Sequence, residues 1–310
     1  MAVRGKKFIA LYILLYAIAL LYLHVAFEES FGNYLLTFSI LGIGFSAIAI
    51  WLTKDLSFAL HTKTFTKEIV FVIVLVALIG FYITYGGTLV NNILPAAWFT
   101  DERIASVIIF VKKFIFFVAI PFTIYKALGF SLDDFGLKKS PVSLLSKRAV
   151  AIFISLATAS LLFQYFLSNG GKNLQQQHFN AVQLIAGIPL CFVYLLFDAG
   201  LIEEFFFRGF LQGRLTALLR SETGAIVVSA IIFGLVHAPG LYLRGAASEG
   251  IDEQLPFLFF AAYTITYISI AGIFLGIIYS KTKNLWLVMA LHAVLDLLPN
   301  FSDFIHTWHL

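Results

Sequence analysis

Three short runs in the second half of the chain hold side chains able to move protons. They are Glu203-Glu204-Phe205-Phe206-Phe207-Arg208-Gly209, Phe233-Gly234-Leu235-Val236-His237 and His292-Ala293-Val294-Leu295-Asp296. On a helix, Glu204 and Arg208 are four residues apart and form a pair on one face. Glu203 then sits about 100° further round, without that partner. A carboxylate set among phenylalanines is desolvated, which suits a general base acting on a water molecule. His292 and Asp296 are also one turn apart, so their side chains share a face. Two histidines and three acids on three separate apolar segments are hard to explain as isolated core residues, because each charge at membrane depth costs roughly 2.5–3.5 kcal/mol.

These residues must be carried by helices that cross a bilayer. About 20 apolar residues span a hydrocarbon core of roughly 30 Å. Such runs lie near 8–27, 34–53, 69–89, 104–125, 149–168, 181–202, 224–240, 258–280 and 285–300. The pattern predicts an all-α, polytopic transmembrane bundle of eight or nine helices, with the polar site inside the C-terminal ones. No breaker separates Ala181 from Glu203, so one helix is expected to continue through the first run. His237 lies 13 residues beyond Gly224, about 20 Å into a straight helix. The seventh run is short and reads as tilted or partly re-entrant. Gly86-Gly87 and Gly170-Gly171 read as helix ends or loops. The longest polar break, 129–147, divides the chain into N-terminal helices (1–128), a cytoplasmic linker and a C-terminal catalytic core (148–310).

Composition supports this class. Of 310 residues, 60% are hydrophobic and 12% charged, about half the charge of a soluble domain. The net charge of +4 is scattered between apolar runs, which excludes a nucleic-acid partner. The single cysteine, Cys191, excludes an intrachain disulfide and any multi-cysteine metal site. The basic start is followed by an apolar stretch to Phe27 that is too long for a signal-peptide core, so it reads as a retained first helix. With the N-terminus cytoplasmic, 16 Lys and Arg fall on the inner side, among them Lys138, Lys139, Arg208, Arg214 and Arg220. Only Arg103, Lys172 and Arg244 fall outside, along with the acidic residues Glu249, Asp252 and Glu253. The positive-inside rule then predicts an integral protein of the cell membrane with an external C-terminus.

Glu-Glu-x-x-x-Arg, then Phe-x-x-x-His, then His-x-x-x-Asp, in that order and on separate helices, resembles the CAAX protease and bacteriocin-processing family. Its members include the type II prenyl-protein endopeptidases, which are glutamate intramembrane proteases. Phe130–Lys139 is similar to a short segment common upstream in bacterial members. The resemblance implies a metal-free site without cofactors and a membrane-associated protein or peptide as substrate. It also implies roles. Glu203 and His237 activate a water, His292 stabilises the oxyanion, and Glu204 and Arg208 hold the geometry. Asp296 departs from the Asn typical of the prenyl endopeptidases, and an ionised carboxylate has no proton to donate. It is expected to orient His292 instead.

Two rival classes follow from the same residues. Glu203, His237 and His292 form a legitimate zinc set, giving a metal-dependent membrane protease, although no His-Glu-x-x-His motif is present. Buried Glu and His also serve proton relays, so a transporter or scaffold is the alternative outside the enzymes. Lys112 and Lys113 interrupt the fourth run at mid-depth, where pairing with Asp198 is one reading and a wet cavity another.

Overall fold

The computed structural model describes residues 2–56, 63–135, 146–244, 251 and 255–310. The upstream segment's Gly136, Leu137, Lys138 and Lys139, and the acidic Glu249, Asp252 and Glu253, lie outside the described residues. The fold is all-helical, and nine helices among the described residues are long and apolar enough to cross a bilayer. They are α1 (Gly5–Phe27), α2 (Phe31–Leu52), α3 (Phe65–Ile93), α4 (Glu102–Ala127), α5 (Lys147–Leu167), α6 (Ala181–Leu219), α7 (Glu222–Leu243), α8 (Phe257–Thr282) and α9 (Leu285–Trp308). The protein is therefore an integral membrane protein.

Burial ranks the helices. In α8 and α9, 61% of the most apolar window is covered by protein, against 17% in α4. The last two helices are thus the centre of the bundle, and α3 and α4 form its flank. Large side chains such as Val25, Val182 and Ile185 face outward, where lipid rather than water solvates them. At 39 residues, α6 is about 58 Å long at 1.5 Å per residue, longer than a whole bilayer is thick.

Two glycines allow the close approaches that build the site. A Cβ on Gly200 of α6 would lie 2.7 Å from the Met289 carbonyl oxygen of α9. A Cβ on Gly234 of α7 would lie 2.7 Å from the Thr264 carbonyl of α8. Without side chains there, backbone meets backbone, as membrane helices commonly require. The first helix is part of this centre. Tyr12 of α1 shares a 2.9 Å hydrogen bond with Ser269 of α8, and Gly5 and Phe8 pack against Thr223 and Gly224 at the start of α7.

Three local expectations change. The seventh helix is a full-length span of 22 residues that runs through Pro239, since neighbouring helices re-satisfy a proline-freed carbonyl in a membrane. Gly86 and Gly87 lie within continuous α3, where no water competes for the exposed backbone. Gly170 and Gly171 do follow a break, at Ser168, but they open a short helix, Asn169–Gln176, capped by the Ser168 hydroxyl. A fourth change concerns charge. Arg208 and Arg214 are inside α6 with 1% and 0% exposure, not on an inner loop. Fourteen of the 16 inner basic residues then remain to bias orientation.

Candidate active site

Helix α6 does not keep one pitch. Leu196–Leu201 and Phe205–Gln212 are wide π turns, with Ile202–Glu204 between them. Such turns cost regular hydrogen bonding and recur at functional sites. Here they flank the two glutamates. From the second wide turn, Arg208 and Gln212 reach across to α8, donating to the carbonyls of Gly272 (3.3 Å) and Gln212 to that of Gly276 (2.9 Å). A carbonyl already used within its own helix retains a second lone pair for such a contact.

The six residues singled out by type and spacing all converge, and they do so in two layers. Glu204, Arg208 and His292 are the inner layer, with side chains 0%, 1% and 6% exposed. Glu203, His237 and Asp296 are the outer layer, at 21%, 30% and 33%. In the inner layer, Glu204 Oε1 accepts from His292 Nδ1 at 2.6 Å and meets the Arg208 guanidinium at 2.9 Å. One carboxylate thereby ties α9 to α6. The carboxylate on Nδ1 of His292 is thus Glu204, while Asp296 Oδ2 approaches Nε2 at 3.4 Å.

In the outer layer, the Phe233 carbonyl takes a 2.7 Å hydrogen bond from His237 Nδ1. A carbonyl only accepts, so Nδ1 carries the proton, and the same logic applies to His292 Nδ1 on its carboxylate. In the neutral tautomer each ring then turns a bare Nε2 toward Glu203. Glu203 Oε2 lies 3.5 Å from Nε2 of His237 and 3.8 Å from Nε2 of His292. It is buried and makes no hydrogen bond. Three acceptors facing one point call for a donor between them, such as a water or a ring proton. Phe233 braces the arrangement. Its ring meets both imidazoles edge-on, at 4.9 and 5.8 Å, and lies 4.7 Å beneath the Arg208 guanidinium.

All six side chains fall on α6, α7 and α9 within one stretch of sequence, and this stretch decides the family. Residues 185–298 match the Rce1-like type II CAAX prenyl endopeptidases. No curated protein and no solved structure matches the chain. The Rce1-like region therefore contains both layers of the site, and it carries the chemistry of a CAAX-type membrane protease acting on a membrane-associated protein. Helices α1 to α5 lie outside the match.

Two charged groups outside the six complete the surroundings. Lys113 of α4 donates to the backbone carbonyl (3.0 Å) and the carboxylate (2.7 Å) of Asp198, in the first wide turn of α6. This pairing was one of the readings open for the mid-depth lysines. Motif spacing missed the other group. Arg214, six residues beyond Arg208, meets Glu68 of α3 at 3.2 Å, with both side chains almost wholly buried. Its guanidinium also lies over the rings of Tyr125 and Phe130. Nothing in local sequence links positions 68 and 214. Among the described residues, no three His, Cys, Asp or Glu side chains are placed to hold a metal ion.

Proposed function

We propose that this protein is a glutamate-type intramembrane endopeptidase that hydrolyses a peptide bond in a prenylated or otherwise membrane-associated protein. One observation carries the reading: a buried carboxylate oxygen without a hydrogen bond, Glu203 Oε2, faces Nε2 of two imidazoles on two other helices. A water held between Glu203 and His237 loses a proton to that pair as its oxygen attacks the scissile carbonyl. The tetrahedral oxyanion then forms beside His292. Because the Nδ1 proton of His292 is committed to Glu204, Nε2 donates only from the imidazolium, and a charge-assisted hydrogen bond is the stronger kind. Asp296, 3.4 Å from that nitrogen, favours the cationic ring. Glu204 and Arg208 are positioning residues, since they act through His292 and the backbone of α8. The collapsing intermediate passes a proton to the leaving amine, which restores the starting state.

The same reading sets the chain in the cell membrane with its N-terminus cytoplasmic, on the bias of the remaining inner basic residues. The decisive test is cleavage of a farnesylated CAAX peptide by the full chain in proteoliposomes, with and without Glu203→Gln. Wild type is expected to cleave, in excess chelator as well as without it. The variant is expected to lose at least about 1,000-fold in kcat/KM while keeping its thermal unfolding midpoint. A Glu203→Gln protein that still cleaves at a tenth of the wild-type rate excludes the glutamate mechanism, and loss of activity to the chelator excludes the metal-free one.

A further inference from the structure

The Lys113–Asp198 pair is a membrane-depth ion pair that the water-activating machinery does not use. It is partly open, with side chains 19% and 17% exposed. Lys113 spends two ammonium protons on Asp198, one on the carbonyl and one on Oδ2, so a third proton remains available. Asp198 Oδ1 is buried and accepts no hydrogen bond. The pair thus presents a spare donor beside a spare acceptor, and its positive end is close enough to influence the Glu203 carboxylate.

Position adds a length. Asp198 precedes Glu203 by five residues on α6, which is about 7 Å along the axis. A peptide cut after its lipidated cysteine has three residues beyond the scissile bond, and three extended residues reach at most about 10 Å. Such a substrate ends in a free carboxylate. At this depth an anion has to approach Glu203, Glu204 and Asp296, all acidic, and it needs a cation to do so. Arg208 does not meet that need, being 1% exposed and held by Glu204 and Gly272.

We propose that Lys113, held by Asp198, is a specificity-determining residue that receives the C-terminal carboxylate of the departing tripeptide, while Asp198 Oδ1 accepts a backbone N–H of the same segment. This rests on the endopeptidase reading above. It also assigns a function to α4, a helix outside the Rce1-like match.

The test uses two farnesylated peptides of identical sequence, one ending in a free carboxylate and one in an amide, with the full chain in proteoliposomes. Wild type is expected to prefer the carboxylate by about 10- to 100-fold in kcat/KM, the range of one charged hydrogen bond. Lys113→Met is expected to erase the preference by slowing the carboxylate peptide alone, and Lys113→Arg to keep most of it. The paired variant Lys113→Met with Asp198→Asn leaves no isolated charge to disturb folding, and it is expected to be equally indifferent. Cleavage of both peptides by wild type at equal rates overturns the proposal and leaves the endopeptidase reading standing. So does a Lys113→Met enzyme that is slower on both but keeps the ratio. Failure of wild type to cleave either peptide overturns both.

Discussion

Helix α6 carries two buried carboxylate–guanidinium pairs, and only one of them is built for chemistry. Glu204–Arg208 lies within a single helix and has a histidine on its carboxylate at 2.6 Å. Beside it stands Glu203, open to two further imidazole nitrogens. Arg214–Glu68 bridges two helices, its cation lies over two aromatic rings, and the backbone N–H of Lys63 donates to the same carboxylate oxygen. Both pairs are equally hidden. Burial of charge therefore identifies a cost and not a function. What separates them is a neighbour that changes protonation and a partly exposed outer layer through which a substrate can reach it. The Glu68 pair instead fastens the flank of the bundle to the helix on which the site is built.

The comparison is sharpest in activity. His237→Ala is expected to lower cleavage by several orders of magnitude, as is Glu203→Ala. The double variant should be hardly worse than either single one, because groups that act on one water are strongly non-additive. Rates that multiply in the double variant would assign the two residues to separate steps. Arg214→Ala should do the reverse. It strands Glu68 without its cation, a change that costs about 3–5 kcal/mol when a buried pair is broken. The unfolding midpoint should fall steeply, while turnover per folded molecule in a stabilising lipid stays within about threefold of wild type. A large loss of turnover at full occupancy of the fold would bring the second pair into the catalytic machinery.

Asp296→Asn is intermediate. It retains shape but removes a charge 3.4 Å from His292 Nε2, and a loss of about tenfold in kcat with unchanged stability is expected. A variant within twofold of wild type at neutral pH would remove the Asp296 carboxylate from the set that supports the oxyanion. The smallest effect belongs to an exposed pair at the mouth of α4. Asp101 caps the helix through the backbone N–H of Arg103 and meets its guanidinium at 2.8 Å. Those contacts hold its carboxyl down from 3.8 to about 2. A depressed carboxyl stabilises above its unfolded value, so the contribution is complete above about pH 4 and fades toward pH 2. Asp101→Asn should leave cleavage unchanged and shift the midpoint by a degree or so, with no difference between pH 6 and 8.

How much of this was legible beforehand follows from how local each feature is. The nine spans are runs of about 20 apolar residues, and a run is visible in any sequence. The six site residues were equally legible, because Glu204 and Arg208, or His292 and Asp296, stand one turn apart on their own helices. The partner of His292 Nδ1 was not. Choosing between Glu204, 88 positions away, and Asp296, four away, depends on how α9 is rotated against α6. That rotation is fixed by backbone contact at Gly200 and Met289, which no periodicity records. Glu68 was hidden for the same reason, since an acid near a helix start reads as an ordinary interfacial charge until the packing of α3 against α6 is known. The pairing of Lys113 with Asp198 lay between these cases. An unexplained lysine at mid-depth demanded an anion, and few were available.

The wide turn at Phe205–Gln212 also bears on how this helix tolerates insertions and deletions. A π turn is in effect an α-helix holding one surplus residue. Deleting a single residue between Phe205 and Phe207 offers the helix a regular pitch, yet it rotates everything downstream by about 100° relative to Glu203 and Glu204. Arg208, Gln212 and Arg214 would then lose their partners on α8 and α3 together. The surplus residue is the phase shift that lets one continuous rod present its glutamates to α7 and α9 and its later cations to two other helices. Length variation in this protein is therefore expected to be accommodated in the loops and not in this turn.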